Sequence, residues 1–203
     1  LAAPTGAGKT FVFESFIDSD KSFSQRKQAV YTVPTRALAN DKWQEWKKAG
    51  WNVGIATGDL AENLEAPVIV ATLETQRERL LSGKQAPALL VIDEYQMIGD
   101  RTRGLNYELA ITLAPNDTRL LLLSGSVGNP KRICEWLQRL GRKARVVSTD
   151  VRPVPLDEMP LEALPNQAPR KYNNFWQRLA LGTLLSHYGP LPVSYTHLRA
   201  HET

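Results

Sequence analysis

An α/β fold, a mainly parallel sheet with helices on both faces, is predicted by three features of the sequence. Short apolar runs alternate with amphipathic stretches over the first 150 residues. Two of the runs, 89–92 (LLVI) and 120–123 (LLLL), are apolar throughout, as strands buried on both faces require. A glycine-rich loop, APTGAGKT at residues 3–10, lies between what reads as a strand end and a helix start.

Each element follows from local pattern. Leu1, Ala2 and Ala3 read as the last residues of a strand. Residues 8–16 form a helix opening directly from the glycine loop, and residues 29–33 (AVYTV) a short strand. A helix follows over 35–49. Leu38, Trp43 and Trp46 are spaced for one buried face, and Gly50 is the stop. Strands are expected at 53–56 and 68–71, then a helix over about 73–81. The apolar runs at 89–92 and 120–123 are the next strands. A helix at 130–140 and a strand at 144–147 complete the unit. From 151 to 169 five prolines disfavour helix and central strand, so this stretch is a linker or extended arm. Residues 175–188 read as a further helix.

Composition sets bounds. The chain has 203 residues, 42% hydrophobic, enough for one substantial core. It contains no apolar run long enough for a membrane span. The single cysteine, Cys134, cannot form an internal disulfide and suits a reducing compartment, so a cytoplasmic location is expected. A net charge of +4 is compatible with phosphate-rich partners without singling them out.

Three motifs carry chemistry. In the first, Thr5, Gly6, Ala7, Gly8, Lys9 and Thr10 suit a polyphosphate. Glycines let the backbone wrap, and N–H groups at a helix start supply positive potential. Lys9 would reach the terminal phosphates, and Thr10 would give its hydroxyl to Mg²⁺. In the second, Asp93-Glu94-Tyr95-Gln96 follows the 89–92 strand, at the strand end where ligand chemistry sits in open parallel sheets. Asp93 is assigned to the metal and Glu94 to polarising the attacking water. The third, Ser124-Gly125-Ser126, ends the 120–123 run and has two hydroxyls around a small central residue. Trp43, Trp46 and Trp136 are read as helix-packing residues rather than stacking platforms.

In order along the chain, APTGAGKT, VPTRALAND, Thr57-Gly58-Asp59, ATLETQ, DEYQ, Arg103-Gly104 with Glu108, LSGSVGNP and Arg152-Pro153-Val154-Pro155-Leu156 resemble the Ski-like (superkiller-type) DExH helicases of superfamily two. The resemblance covers about residues 1–156, and its last segment favours this branch over DEAD-box enzymes. It implies a RecA-like P-loop NTPase fold that uses ATP and Mg²⁺, with Lys9, Asp93, Glu94 and Gln96 as the catalytic set. It implies that Pro34, Thr35, Arg36, Thr72 and Glu74 line the path of one RNA or DNA strand. It also implies that Ser124 and Ser126 couple nucleotide state to that strand. Such contacts hold a backbone without reading bases. Two positions depart from the family pattern. Gln96 stands where His is usual, and Ser-Gly-Ser stands where Ser-Ala-Thr is usual. Gln96 can still both donate and accept hydrogen bonds.

The expected organisation is a first motor domain over 1–150, with its start missing. A linker and the beginning of a second motor domain follow over 151–192, and the tail at 193–203 resembles translated sequencing-adapter read-through. The second RecA-like domain of the full-length chain is the expected partner, and without it weak nucleotide binding and poor hydrolysis are expected. The competing readings are a P-loop NTPase outside the helicases, or a translocase of a CRISPR-associated or restriction system.

Overall fold

The computed structural model describes residues 1–20, 22–23, 27–82, 86–125 and 129–151. The chain divides into two units, Leu1–Val154 and Pro155–Thr203, and every described residue belongs to the first. Ser126, the linker, the helix expected at 175–188 and the tail lie outside the described residues.

Six strands form one sheet in the order β3-β2-β4-β1-β5-β6. They are β1 (Ala29–Val33), β2 (Val53–Ala56), β3 (Ala61–Glu62), β4 (Val68–Thr72), β5 (Leu89–Ile92) and β6 (Arg119–Leu122). All neighbouring pairs are parallel except β2 and β3. The helices are α1 (Lys9–Ser19), α2 (Arg36–Lys48), α3 (Arg77–Ser82), α4 (Gly104–Leu113) and α5 (Pro130–Arg139), with 3₁₀ turns at Leu73–Gln76 and Tyr95–Gly99. This is the predicted α/β architecture, a mostly parallel sheet between helices.

The core lies in two clusters, one on each face, and strand periodicity decides which residue goes where. Ala29, Tyr31, Val68, Val70, Leu89 and Val91 pack with Phe13 of α1 and Trp43 and Trp46 of α2. The alternating residues Val30, Ile69, Leu90 and Ile92 pack on the other side with Tyr107 and Ile111 of α4 and Leu137 of α5. A period of two sends successive side chains to opposite faces, so a strand buried on both is apolar at nearly every position; buried Thr32 is accommodated by donating to the Val91 carbonyl. Trp46, 2% exposed, anchors the first cluster; truncating a core residue of this size costs roughly 3–5 kcal/mol.

Several details differ from the sequence reading. Leu38 is 49% exposed, and Ala39 takes its place on the inner face of α2 with Trp43 and Trp46. The spacing 39, 43, 46 is the helical repeat, and Leu38 lies one position off it. The strand expected at 144–147 does not form. Instead Ala2 makes single parallel bridges to Ser124 and Ser148. Its backbone donates to Val147 and accepts from Thr149, so the glycine loop springs from between the tip of β6 and this returning segment. The helix expected over 73–81 begins as a 3₁₀ turn and becomes α-helical at Arg77. Helix α4 and the short antiparallel β3 are additional to the predicted elements.

Candidate active site

Because β1, β2, β4, β5 and β6 run the same way, everything that follows their C-terminal ends gathers along one edge of the sheet. Asp93 follows β5, Ser124 and Gly125 follow β6, Pro34 to Arg36 follow β1, Leu73 and Glu74 follow β4, and Thr57 to Asp59 follow β2. The glycine loop is drawn to the same edge by the pairing of Ala3 with Ser124, 3.1 Å from N to O.

The loop is built to leave donors pointing outward. Gly6 and Gly8 both have positive φ, at 83° and 77°, a region closed to most residues with a side chain. Gly8 occupies the N-cap of α1, and no side chain among the described residues caps that helix start. The first N–H groups of a helix have no intrahelical partner, so here they remain open to an anion. By contrast, Thr35 caps α2 by accepting from the Leu38 N–H, and Asn129 caps α5 by accepting from the Arg132 N–H. Lys9 lies in the mouth of the loop, its ammonium donating to the carbonyls of Ala3 (3.0 Å) and Pro4 (3.2 Å).

Gly125 shows how closely the β6 tip approaches the loop. A Cβ at this position would stand 3.1 Å from Thr5 Oγ1 and 3.4 Å from Lys9 Nζ. A side chain at Gly125 would therefore press on the Thr5 and Lys9 side chains of the glycine loop.

The paired acids sit on the same spot. Asp93 accepts from the Tyr31 hydroxyl at 2.8 Å, and its other oxygen accepts from the Glu94 N–H at 3.0 Å. Burial pushes the Asp93 carboxyl above the usual carboxylate range. The Tyr31 and Glu94 backbone hydrogen bonds and the Lys9 charge oppose that rise, and the neighbouring Glu94 charge adds to it. Glu94 itself has a left-handed backbone, φ 53°, an uncommon conformation for a glutamate. It starts the 3₁₀ turn that swings Gln96 back over the site. The Gln96 side-chain amide donates to Glu94, and the Ser124 hydroxyl donates to the Gln96 carbonyl oxygen. Ser124 is fully buried, while Glu94 and Gln96 are half-buried, so this Glu94–Gln96–Ser124 chain runs from the interior to the site edge. Tyr107 of α4 lies beneath the same edge. Burial, and next the charge of Glu74, push its hydroxyl up to about 12.

The other predicted residues form a separate and more open group. Arg36 is exposed, its guanidinium lying over Gly58 and 3.7 Å from Asp59. Arg103 donates to the Pro34 carbonyl at 2.9 Å, fastening the loop before α4 to the start of this segment. Thr35 and Glu74 face solvent, whereas Thr72 is buried and its carbonyl accepts from Thr75. Of the sequence-predicted residues, the structure thus groups Thr5, Lys9, Thr10, Asp93, Glu94, Gln96 and Ser124, and separately Pro34, Thr35 and Arg36. Tyr31 was not singled out from the sequence. Its one visible signal is a hydroxyl in a mainly apolar strand, a signal it shares with Thr32.

These residues suit Mg²⁺ with a nucleotide phosphate. Thr10, Tyr31 and Asp93 offer only oxygen donors, as a hard cation prefers. Among the described residues no group of three or more His, Cys, Asp or Glu side chains could hold a metal ion.

The fold and this edge define an α/β protein of the RecA-like class. The chain belongs to the DEAD/DEAH box helicase family, whose sequence profile matches residues 1–133. It is 34% identical over 160 residues to the ATP-dependent RNA helicase mtr4 of Schizosaccharomyces pombe, which covers 77% of this chain and 14% of that protein. It is 36% identical over 166 residues to the ATP-dependent DNA helicase Hel308 of Pyrococcus abyssi, covering 77% of this chain and 22% of that protein. Superkiller complex protein 2 of Mus musculus is 35% identical over 161 residues, covering 77% of this chain and 13% of that protein. The chain therefore spans less than a quarter of the length of these curated relatives. Among solved structures the fold resembles the Pyrococcus furiosus Hef helicase domain, with a TM-score of 0.54 at 22% identity over 73% of this chain and 34% of that one. It also resembles S. cerevisiae dbp5, with a TM-score of 0.56 at 23% identity over 73% of this chain and 43% of that one. No helix of the described residues is long and apolar enough to cross a membrane.

Proposed function

We propose that this chain is the first motor domain of an ATP-dependent nucleic-acid helicase of the Ski-like DExH type. In this reading it binds ATP with Mg²⁺ at the glycine loop and couples hydrolysis to movement along a single strand of RNA or DNA. The observation that carries the reading is the meeting of three sequence-distant segments, Thr5 to Thr10, Asp93 to Gln96 and Ser124-Gly125, at one strand edge.

The loop N–H groups and Lys9 would hold the phosphates, and Lys9 would exchange its contacts to Ala3 and Pro4 for phosphate oxygens. Thr10 and Asp93 would hold Mg²⁺, which when bound neutralises charge developing on the phosphates. Glu94 would orient and polarise the attacking water. Gln96 touches both Glu94 and Ser124, so it can report the state of the Glu94 carboxylate to the strand tip. Ser126 would extend that coupling. Pro34, Thr35, Arg36, Thr72 and Glu74 would form the strand track, with Arg36 and Thr35 on phosphate oxygens. A second RecA-like domain of the same full-length chain would complete the site from the opposite side. Membership of the helicase family removes the ground for a P-loop NTPase outside the helicases.

Titration of a fluorescent ATP analogue against the chain and its Lys9→Ala variant tests the nucleotide half of the proposal. Saturable Mg²⁺-dependent binding that Lys9→Ala loses is expected. Equal affinity in both proteins would overturn it.

A further inference from the structure

We propose that Tyr31 is a positioning residue for the Mg²⁺ site: its buried hydroxyl accepts a hydrogen bond from Thr10 and donates one to Asp93, so that both metal-holding oxygens keep lone pairs for the cation. The inference rests on the nucleotide reading above and extends it to a residue outside the glycine loop and the paired acids.

Proton accounting leads to this assignment. A hydroxyl that ligates a cation must aim a lone pair at it, so its proton must go elsewhere. Tyr31 Oη lies 2.8 Å from Asp93 Oδ2 and 3.4 Å from Thr10 Oγ1. A carboxylate can only accept, so the single Tyr31 proton goes to Asp93. In the longer contact Thr10 must then donate and Tyr31 accept. The result is a one-way relay, Thr10 to Tyr31 to Asp93, between two residues that lie on different elements.

The hydroxyl is also held in place. Tyr31 is fully buried, on the strand next to β5. Its ring packs on Phe13 at 5.0 Å between centroids and meets Trp46 edge-on at 5.2 Å. Trp46 is itself fixed by donating to Glu14 at 2.7 Å. A ring locked on both sides cannot swing its oxygen away. Partners of metal ligands that are fixed in this manner tune metal affinity.

The test is a comparison of the chain with Tyr31→Phe, which keeps the ring and removes the oxygen. Affinity for methylanthraniloyl-labelled β,γ-imido-ATP is measured in MgCl₂ and in EDTA, with circular dichroism to confirm folding. Tyr31→Phe is expected to cut the gain in affinity conferred by Mg²⁺ by about tenfold, the low end of effects for such supporting partners. The affinity in EDTA is expected to stay within about twofold, because phosphate contacts to the loop are untouched. Tyr31→Met, which lacks the hydroxyl but fills space flexibly, should show the same loss. In an Asp93→Asn background, removal of the hydroxyl should change the gain no further. A Mg²⁺ gain preserved in the two Tyr31 variants, or equal weakening with and without metal, overturns the proposal and leaves the nucleotide reading standing. Absence of Mg²⁺-dependent binding in the unsubstituted chain overturns both.

Discussion

Two stretches of one sheet edge differ in construction. At the tips of β5 and β6, buried and half-buried side chains are joined to each other: Tyr31 to Asp93, Gln96 to Glu94, Ser124 to Gln96. At the tips of β1 and β2, Arg36 and Asp59 stand in solvent, 65% and 62% exposed, as a loose ion pair. Under the proposed function the difference matches the demands of two tasks. Phosphoryl transfer depends on groups fixed before the reaction, in a site where charge is poorly screened. A track for a moving strand depends on contacts that form and release, and solvent-screened charges do this readily. The two α-helical N-termini repeat the contrast. The start of α2 is capped by its own Thr35, while the start of α1 has no side-chain cap among the described residues.

If the contrast is functional, substitutions on the two sides should have separable effects. Lys9→Ala should weaken nucleotide binding on the order of 100-fold, the loss of charge-assisted hydrogen bonds to phosphate, with no change in affinity for a single-stranded oligonucleotide. Fluorescence titrations with each ligand check both halves. Arg36→Ala should do the reverse. It should weaken oligonucleotide binding to a similar degree for every sequence and reduce the slope of log affinity against log salt by about 1, leaving nucleotide binding alone. Loss of nucleotide affinity in Arg36→Ala would mean that the two regions are not independent.

Thr35 belongs to both structure and track, so it sharpens the comparison differently. Its oxygen accepts from the Leu38 N–H at 3.2 Å while its proton stays available to a phosphate. Thr35→Ala should destabilise the fold by about 1 kcal/mol through loss of the cap. Thr35→Asn should keep the cap and restore the melting temperature.

The parts of the molecule legible in sequence were those where one residue type serves one purpose. The runs of β1, β4 and β5 are apolar because both faces are covered, and the glycine loop is readable because positive φ at Gly6 and Gly8 demands glycine. Helix α4 was not legible. Its inner residues Gly104, Tyr107, Ala110 and Ile111 have the right period, but Leu105 and Leu113 on the outside are apolar too, and no side chain among the described residues caps its start. Without contrast between faces the helical repeat is hidden. Tyr31 was legible as a strand residue and no further. A tyrosine in a buried strand reads as packing, and only the three-dimensional convergence of β1, β5 and α1 puts its oxygen between Asp93 and Thr10.

The smallest expected effect concerns the energetic cost of preparing the buried side of the comparison. Burial holds the Asp93 carboxyl above its usual range, so the fold favours the protonated form more than the unfolded chain does. Its favourable contribution is complete below the ordinary carboxylate range and is lost as pH rises through the raised folded value. At neutral pH the ionised carboxylate is therefore a net liability in the absence of a cation. Asp93→Asn keeps an oxygen to accept from Tyr31, removes the charge and gives up the acceptor for the Glu94 N–H. Its melting temperature in EDTA at pH 7.5 should exceed that of the unsubstituted chain by on the order of 2 °C. The gap should close as the buffer is taken toward pH 4, and MgCl₂ with nucleotide should reverse it by stabilising only the protein that retains the carboxylate. An Asn variant that melts lower at pH 7.5 in EDTA would show that the Lys9 charge and the Glu94 N–H contact outweigh burial. The active side would then be no more strained than the open track.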